Sequence, residues 1–353
     1  MNRSLNFLFI FTANYFQNIV KGRNISLISN SKNYIDSTVK FCELYKSRLF
    51  KKEDILTSNN AYRQFLQVLP LFIESEHKLY ETKNIKKSAQ NPLGRREQEY
   101  TNQNRFNLLG PVGPKCSFHL EQFGHFDEAK HICGLQEIQK LSNQSECVIY
   151  SIGSNNQWGF EFDILTKTSC RVETFDCTVN GIIPAELSVS QKKRIRFHKI
   201  CLGSKNEQIN TGNNTYRTFM DWSTLNKYLN MTTDPTFLKM DIEGYEIPVM
   251  RSIIDSRVSY PFQIAMEFHL LKASDNFNTT RSSAEVFAFM HYLSEFGGYS
   301  LIDRNDNPHC QQCSEILLAR TRCDIVASSS FDAIKTPSHP KFDAAVKNTL
   351  SNN

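Results

Sequence analysis

The chain has 353 residues, 40% of them hydrophobic, enough to bury one enzyme-sized core and carry an appendage. Its 41 basic and 36 acidic residues leave a formal charge of only +5. That balance does not by itself predict a phosphate-binding surface, so nucleic acid is not implied as a partner.

Met1-Asn2-Arg3-Ser4 followed by Leu5 to Ala13 has the positive start and short apolar run of a signal peptide or truncated signal anchor. Asn6 interrupts the run and no small-residue cleavage site follows, so an amphipathic N-terminal helix competes with that reading. No later stretch offers the about 20 apolar residues needed to span a bilayer. Ten cysteines, an even number, fit the secretory pathway. The expectation is therefore a Golgi or secreted protein, with a cytoplasmic one as the alternative. Sequons stand at Asn2, Asn24, Asn143, Asn213, Asn230 and Asn278, but in a chain so rich in Asn, Ser and Thr their number decides nothing.

Apolar residues from Val39 to Phe50, then Phe65, Leu66, Val68 and Leu69, recur at helical spacing and predict one or two stem helices over Ser37 to Lys83. Ile85 to Asn107 is polar and charged, a linker. Residues 1–108 are thus expected to form an N-terminal region, 109–328 the main domain and 329–353 a disordered tail. Inside the domain, short apolar runs alternate with helical stretches, which predicts a mostly parallel sheet flanked by helices. The expected strands are Cys147 to Ile152, Cys170 to Phe175, Ile195 to Leu202, Thr236 to Met240 and Phe262 to Phe268. Helices are expected over Gln157 to Thr166, Thr224 to Tyr228, Tyr245 to Ile254 and Ser282 to Phe296. Tyr299 to Asp303 and Glu315 to Ala319 add an antiparallel pair.

The first strand breaks at Ser151-Ile152-Gly153-Ser154-Asn155, and a strand that turns at a glycine exposes backbone N–H groups where nucleotide-like ligands sit. Gly153, Ser154 and Asn155 are the cofactor-loop residues. The second glycine of the usual motif is replaced by Asn155, which tolerates left-handed backbone. The second strand ends in Asp176, 23 positions beyond Gly153 and close to the spacing at which a carboxylate takes ribose hydroxyls. The turn at Cys201-Leu202-Gly203-Ser204 supplies an adenine contact, with Gly203 its tight residue.

The fourth strand runs into Lys239-Met240-Asp241-Ile242-Glu243-Gly244-Tyr245-Glu246, which gathers carboxylates at the edge where cofactor and acceptor meet. The fifth ends in Met266-Glu267-Phe268-His269, with Glu267 and His269 on one side of the strand. His269 is the candidate proton acceptor, and Asp241 and Glu243 face the acceptor beside it. A structural Glu267–His269 pair is the plainer alternative.

These runs, together with Thr174-Phe175-Asp176, resemble the metazoan methyltransferase-like proteins related to the FkbM methyltransferases. The resemblance covers about Gly110 to Asp324. It implies a class I methyltransferase (Rossmann-like) α/β fold and S-adenosylmethionine as cofactor, with a sugar or small-metabolite hydroxyl as acceptor by analogy. The FkbM pattern ends its second strand Phe-Glu-Pro where this chain has Phe175-Asp176-Cys177, an acid one carbon shorter.

Cys116, Cys133 and Asn307-Pro308-His309-Cys310-Gln311-Gln312-Cys313 also look like that subgroup. They read as structural cysteines, disulfide-bonded if the protein is secreted, in preference to free thiols or to zinc, since one Cys-x-x-Cys lacks a second pair. Cys147, Cys170 and Cys201 read as small buried hydrophobes. No metal site is assigned, although a divalent cation at Asp241, Glu243 and His269 is a secondary reading. The rivals to a methyltransferase are an inactive relative of the fold and a secretory-pathway glycosyltransferase. The latter lacks its usual Asp-x-Asp.

Overall fold

The computed structural model describes residues 31–82, 107–125, 129–141, 147–210, 216–231, 233–270, 281, 283–307, 310 and 313–326. The expected N-terminal signal or anchor, nearly all of the linker over 85–107, and the tail after 328 lie outside the described residues.

Seven strands form the main sheet: β3 (Val148–Ile152), β4 (Arg171–Phe175), β5 (Ile195–His198), β9 (Phe237–Met240), β10 (Gln263–His269), β11 (Tyr299–Asp306) and β12 (Cys313–Arg320). Their spatial order is β11-β12-β10-β9-β3-β4-β5. β3, β4, β5, β9 and β10 pair in parallel, and β12 runs antiparallel to both of its neighbours. Every residue of β3, β9 and β10 is buried, as expected of central strands covered by helices on both faces.

The two faces feed two cores by simple alternation along the strands. On one, Tyr150, Leu238 and Ile264 pack with Trp222, Val249 and Leu293. On the other, Ile149, Phe237 and Ala265 pack with Phe160, Ile164 and Tyr45. Helices α1 (Ser31–Leu49), α2 (Lys52–Thr82), α3 (Leu135–Leu141), α4 (Gly159–Lys167), α5 (Val189–Lys192), α6 (Trp222–Tyr228), α7 (Glu246–Ser256) and α8 (Ser283–Gly297) complete the described helices longer than a single 3-10 turn. The residues read as a stem form α1 and α2. Cys42, Tyr45 and Leu49 of α1 are buried in the second core, and the Tyr45 hydroxyl donates to Ile138 O at 3.2 Å.

Two smaller sheets flank the main one. A hairpin of β1 (Leu120–Phe123) and β2 (Lys130–Cys133) is tied to β10 by the Gln263 amide, which accepts from Cys133 N at 2.9 Å and donates to Cys133 O at 2.7 Å. β6 (Cys201–Leu202), β7 (Glu207–Asn210) and β8 (Tyr216–Met220) form the other. The single strand expected over Ile195 to Leu202 is therefore two. The chain bends where Ile200 N donates to His198 O, and Cys201 leaves to pair with β8.

All ten cysteines are joined: Cys42–Cys323, Cys116–Cys133, Cys147–Cys170, Cys177–Cys201 and Cys310–Cys313. This corrects the reading of Cys147, Cys170 and Cys201 as plain buried hydrophobes. Each sits at a strand end beside a partner from the neighbouring segment, a proximity that local apolarity does not report. Among the described residues no helix is long and apolar enough to cross a membrane.

Candidate active site

β4 and β5 extend the sheet to one side of β3, while β9 and β10 extend it to the other, so the order reverses between β3 and β9. Ligands of open α/β sheets sit in the crevice at the carboxyl ends of such a pair. Ile152 pairs with Met240, and Asp241 N donates to Ile152 O at 2.9 Å, which sets Gly153 and Asp241 side by side at the crevice.

Gly153 has φ 78°, and a Cβ there would lie 1.7 Å from Asp241 O. Only glycine serves at this position. Asn155 and Asn156 follow with φ 46° and 58°, the left-handed backbone for which asparagine is suited. The turn points its amides at Asp176. Ser154 N and Asn155 N donate to Oδ2 at 3.1 and 2.8 Å, and Thr178 N and Oγ1 donate to Oδ1 at 2.8 and 2.6 Å. The Asp176 carboxylate thus holds the cofactor loop in shape through the chain's own donors. Lys239 Nζ donates to Gly153 O and fastens the loop from β9.

Gly203 stands apart, at the end of β6 in the small sheet, with its N–H on Met220 O at 2.9 Å. It reaches the rest of the site through Phe219, whose ring lies 3.1 Å from where its Cβ would be and 5.6 Å, centroid to centroid, from that of Tyr245.

The second half of the site is the acidic edge. Asp241 directly follows β9, Glu243 comes next but one at φ 52° with its side chain 72% exposed, and Glu246 opens α7 fully buried. His269 Nδ1 lies 2.8 Å from Glu246 Oε1, and its Nε2 lies 3.4 Å from Glu243 Oε2. Gly244 N also donates to Glu246 Oε1, at 2.9 Å, and Arg281 donates to the carbonyls of Gly244 and His269. Burial disfavours a proton on His269, but the hydrogen bond and charge of Glu246, with Glu267 and Asp241 beyond, outweigh it and push its pKa up to about 9. At neutral pH His269 carries its proton, and it accepts another group's only after giving up its own.

Glu267 is pushed up to about 8 by burial and by the charges of Asp241 and Glu315, with His269 and Lys130 opposing. Glu315 lies directly across the β10–β12 ladder from Glu267. Lys130 Nζ, wholly buried, sits 2.7 Å from Glu315 Oε1 and 3.8 Å from Asp241 Oδ2. Sequence reasoning had placed Glu267 and Glu246 near this edge but missed Lys130, Glu315 and Arg281. Glu315 could have been found by setting the two antiparallel strands in register. Lys130 carries no local signal.

The sequence pattern of a methyltransferase-domain family matches residues 75–319. The chain belongs to that family. The order of its main sheet, six parallel strands with one reversed strand inserted next to the edge, is that of a class I methyltransferase. The chain carries a methyltransferase domain, and its residues fit S-adenosylmethionine. The Ser154 hydroxyl, next to Gly153, and Trp158 Nε1, at the start of α4, are buried without a hydrogen-bond partner, and the acidic edge complements a sulfonium charge. No curated protein matches the chain.

Among solved structures, the FkbM methyltransferase of Methylobacillus flagellatus KT aligns at 14% identity over 49% of this chain and 43% of its own, with a TM-score of 0.33. The N-terminal domain of EvdMO1 with SAH bound aligns at 9% over 53% and 79%, TM-score 0.31. The methyltransferase domain of bacterial CtHen1 aligns at 11% over 52% and 95%, TM-score 0.31. The chain spans less than half the length of the FkbM structure. At these scores the likenesses carry no argument, and the fold rests on strand order.

Proposed function

We propose that this methyltransferase transfers a methyl group to a hydroxyl oxygen of a sugar or other small metabolite. The observation that carries the reading is the meeting of Asp241, Glu267 and His269 at the carboxyl edge of the sheet, directly beside the Gly153 loop. An oxygen nucleophile must lose a proton as it takes up a methyl group, and this edge gathers groups that can receive one. S-adenosylmethionine, when bound, would supply the methyl group on a sulfonium, whose sulfur would keep the electron pair of the C–S bond as the C–O bond forms. The Gly153, Ser154 and Asn155 turn would hold the amino-acid end of the cofactor, Asp176, which shapes that turn, would border the ribose, and the Gly203 strand would close the adenine side. Asp241, Glu243 and His269 face the acceptor, and His269 takes the hydroxyl proton once it has released its own. The work of the protein is proximity and charge.

The reading is tested by incubating the full chain with methyl-labelled S-adenosylmethionine and a panel of hydroxyl-bearing glycans, amines and carboxylic acids. Label in a base-stable, ether-linked methyl group supports it. Label only in amines or in base-labile esters overturns it.

Secretion belongs to the same proposal. Five disulfides using every cysteine, and Asn230 exposed within a sequon, support an oxidising compartment. Expression in animal cells with non-reducing peptide mapping tests it: free thiols throughout a functional protein would overturn it.

A further inference from the structure

Asp241 directly follows β9, and Glu267 and His269 lie two residues apart at the end of β10, so all three side chains converge on one point of the sheet edge. One ligand atom from each lies within 4.8 Å of the others. A small cation with oxygen and nitrogen ligands at about 2.0 to 2.6 Å spans such a set without rearranging the backbone. Glu267 and His269 are only 8% and 4% exposed.

Two independent features point to a cation here. His269 is oriented as ligating histidines are: its Nδ1 is engaged by the buried Glu246, itself fixed by Gly244 N, and its Nε2, 3.4 Å from the exposed Glu243 carboxylate, is the nitrogen that remains to ligate. Glu315, directly across the β10–β12 ladder from Glu267, is the second: one of its oxygens is shielded from solvent with no hydrogen-bond partner.

We propose that Asp241, Glu267 and His269 bind one divalent cation of the Mg2+ or Mn2+ class. Rather than the exposed Glu243, the third ligand is Glu267. On the reading that a hydroxyl is methylated, which this role presupposes, the ion would bind the acceptor oxygen at an open position and lower its pKa, so that the proton passes to solvent water and His269 serves as a ligand in place of the base role given it above. Glu267 also lies within the same reach of Cys310 and Cys313, but their disulfide removes both sulfurs as ligands.

Mn2+ is titrated into the purified, oxidised full chain without cofactor or acceptor, and free Mn2+ is read by electron paramagnetic resonance. The expected result is one Mn2+ per chain, with affinity reduced at least about tenfold in both E267Q and D241N. S-adenosylhomocysteine binding by E267Q stays at the wild-type level, which shows that variant to be folded, and H269Q serves as a second variant if either unfolds. No Mn2+ bound by the wild type at millimolar concentration overturns the proposal, as does binding unchanged in the folded variants. Binding that appears only on reduction and is lost in C310S also overturns it, by placing the metal on the thiols. Mn2+ binding that follows the expected pattern upholds the site even if no hydroxyl is methylated, in which case only the acceptor reading falls.

Discussion

The position a Cβ would take on Gly153 falls 1.7 Å from the carbonyl oxygen of Asp241. The cofactor turn and the acidic turn are therefore one packed unit, held by Asp241 N on Ile152 O and by Lys239 on Gly153 O. Anything that moves one turn moves the other.

Gly153→Ala places a side chain on that carbonyl and on left-handed backbone. Overpacking of this kind costs about 1 to 3 kcal/mol. The variant should melt at lower temperature and lose most S-adenosylhomocysteine binding by calorimetry. Wild-type affinity in G153A would show that the turn does not touch the cofactor.

Asp176→Ala removes the acceptor of the Ser154, Asn155 and Thr178 hydrogen bonds. Hydrogen bonds to a charged group are worth about 1.5 to 3 kcal/mol, and a loss of that size is expected in cofactor affinity. An unchanged dissociation constant in a folded D176A would take Asp176 out of the site.

His269→Ala should lower turnover by at least about 100-fold, the lower end of what a positioned acid or base contributes. Cofactor affinity should stay near the wild-type value, because His269 faces the acceptor edge. Full activity in H269A would refute its role there.

Cys42–Cys323 ties α1 to the 3-10 turn after β12 across 281 residues of chain. Replacing both cysteines by alanine should cost about 2 to 5 kcal/mol in a denaturant titration of the oxidised protein. An unmoved midpoint would mean that the helix holds by packing alone.

His131 and Asp303 pair at 2.5 Å between the β1–β2 hairpin and β11, and the hydrogen bond to Asp303 raises the His131 pKa against partial burial. The folded chain holds that proton more tightly than the unfolded one. The pair's stabilisation is therefore complete below the unfolded value of about 6.5 and lost as pH rises through the folded pKa. Both groups are partly exposed, so the effect is small and weakens with salt. The stability gap between wild type and D303N should be widest near pH 5.5 and close at alkaline pH; a gap that widens with pH would contradict the pairing.

Much of the catalytic half was legible because central strands must be apolar on both faces and must stop abruptly. β3, β4, β9 and β10 match the apolar runs to within one or two residues at each end. Asn155 stands where left-handed backbone is needed, which its side chain announced. β1 and β2 were missed because Leu120-Glu121-Gln122-Phe123 and Lys130-His131-Ile132-Cys133 mix polar and apolar residues, and their burial comes from contact with β10 and not from a pattern of their own.

Local chemistry by itself determined that a glycine turn, a carboxylate one strand away and an acidic fourth-strand end belong to one kind of crevice, since each is written in consecutive residues. Only the tertiary structure decided that Asp176 spends its carboxylate on the loop amides, that ten cysteines make five pairs, and that Glu315 and Lys130 join Asp241, Glu267 and His269. Those facts depend on strand register and on helices folded back over hundreds of residues, and burial then gives the charges so assembled energies that the same side chains lack in water.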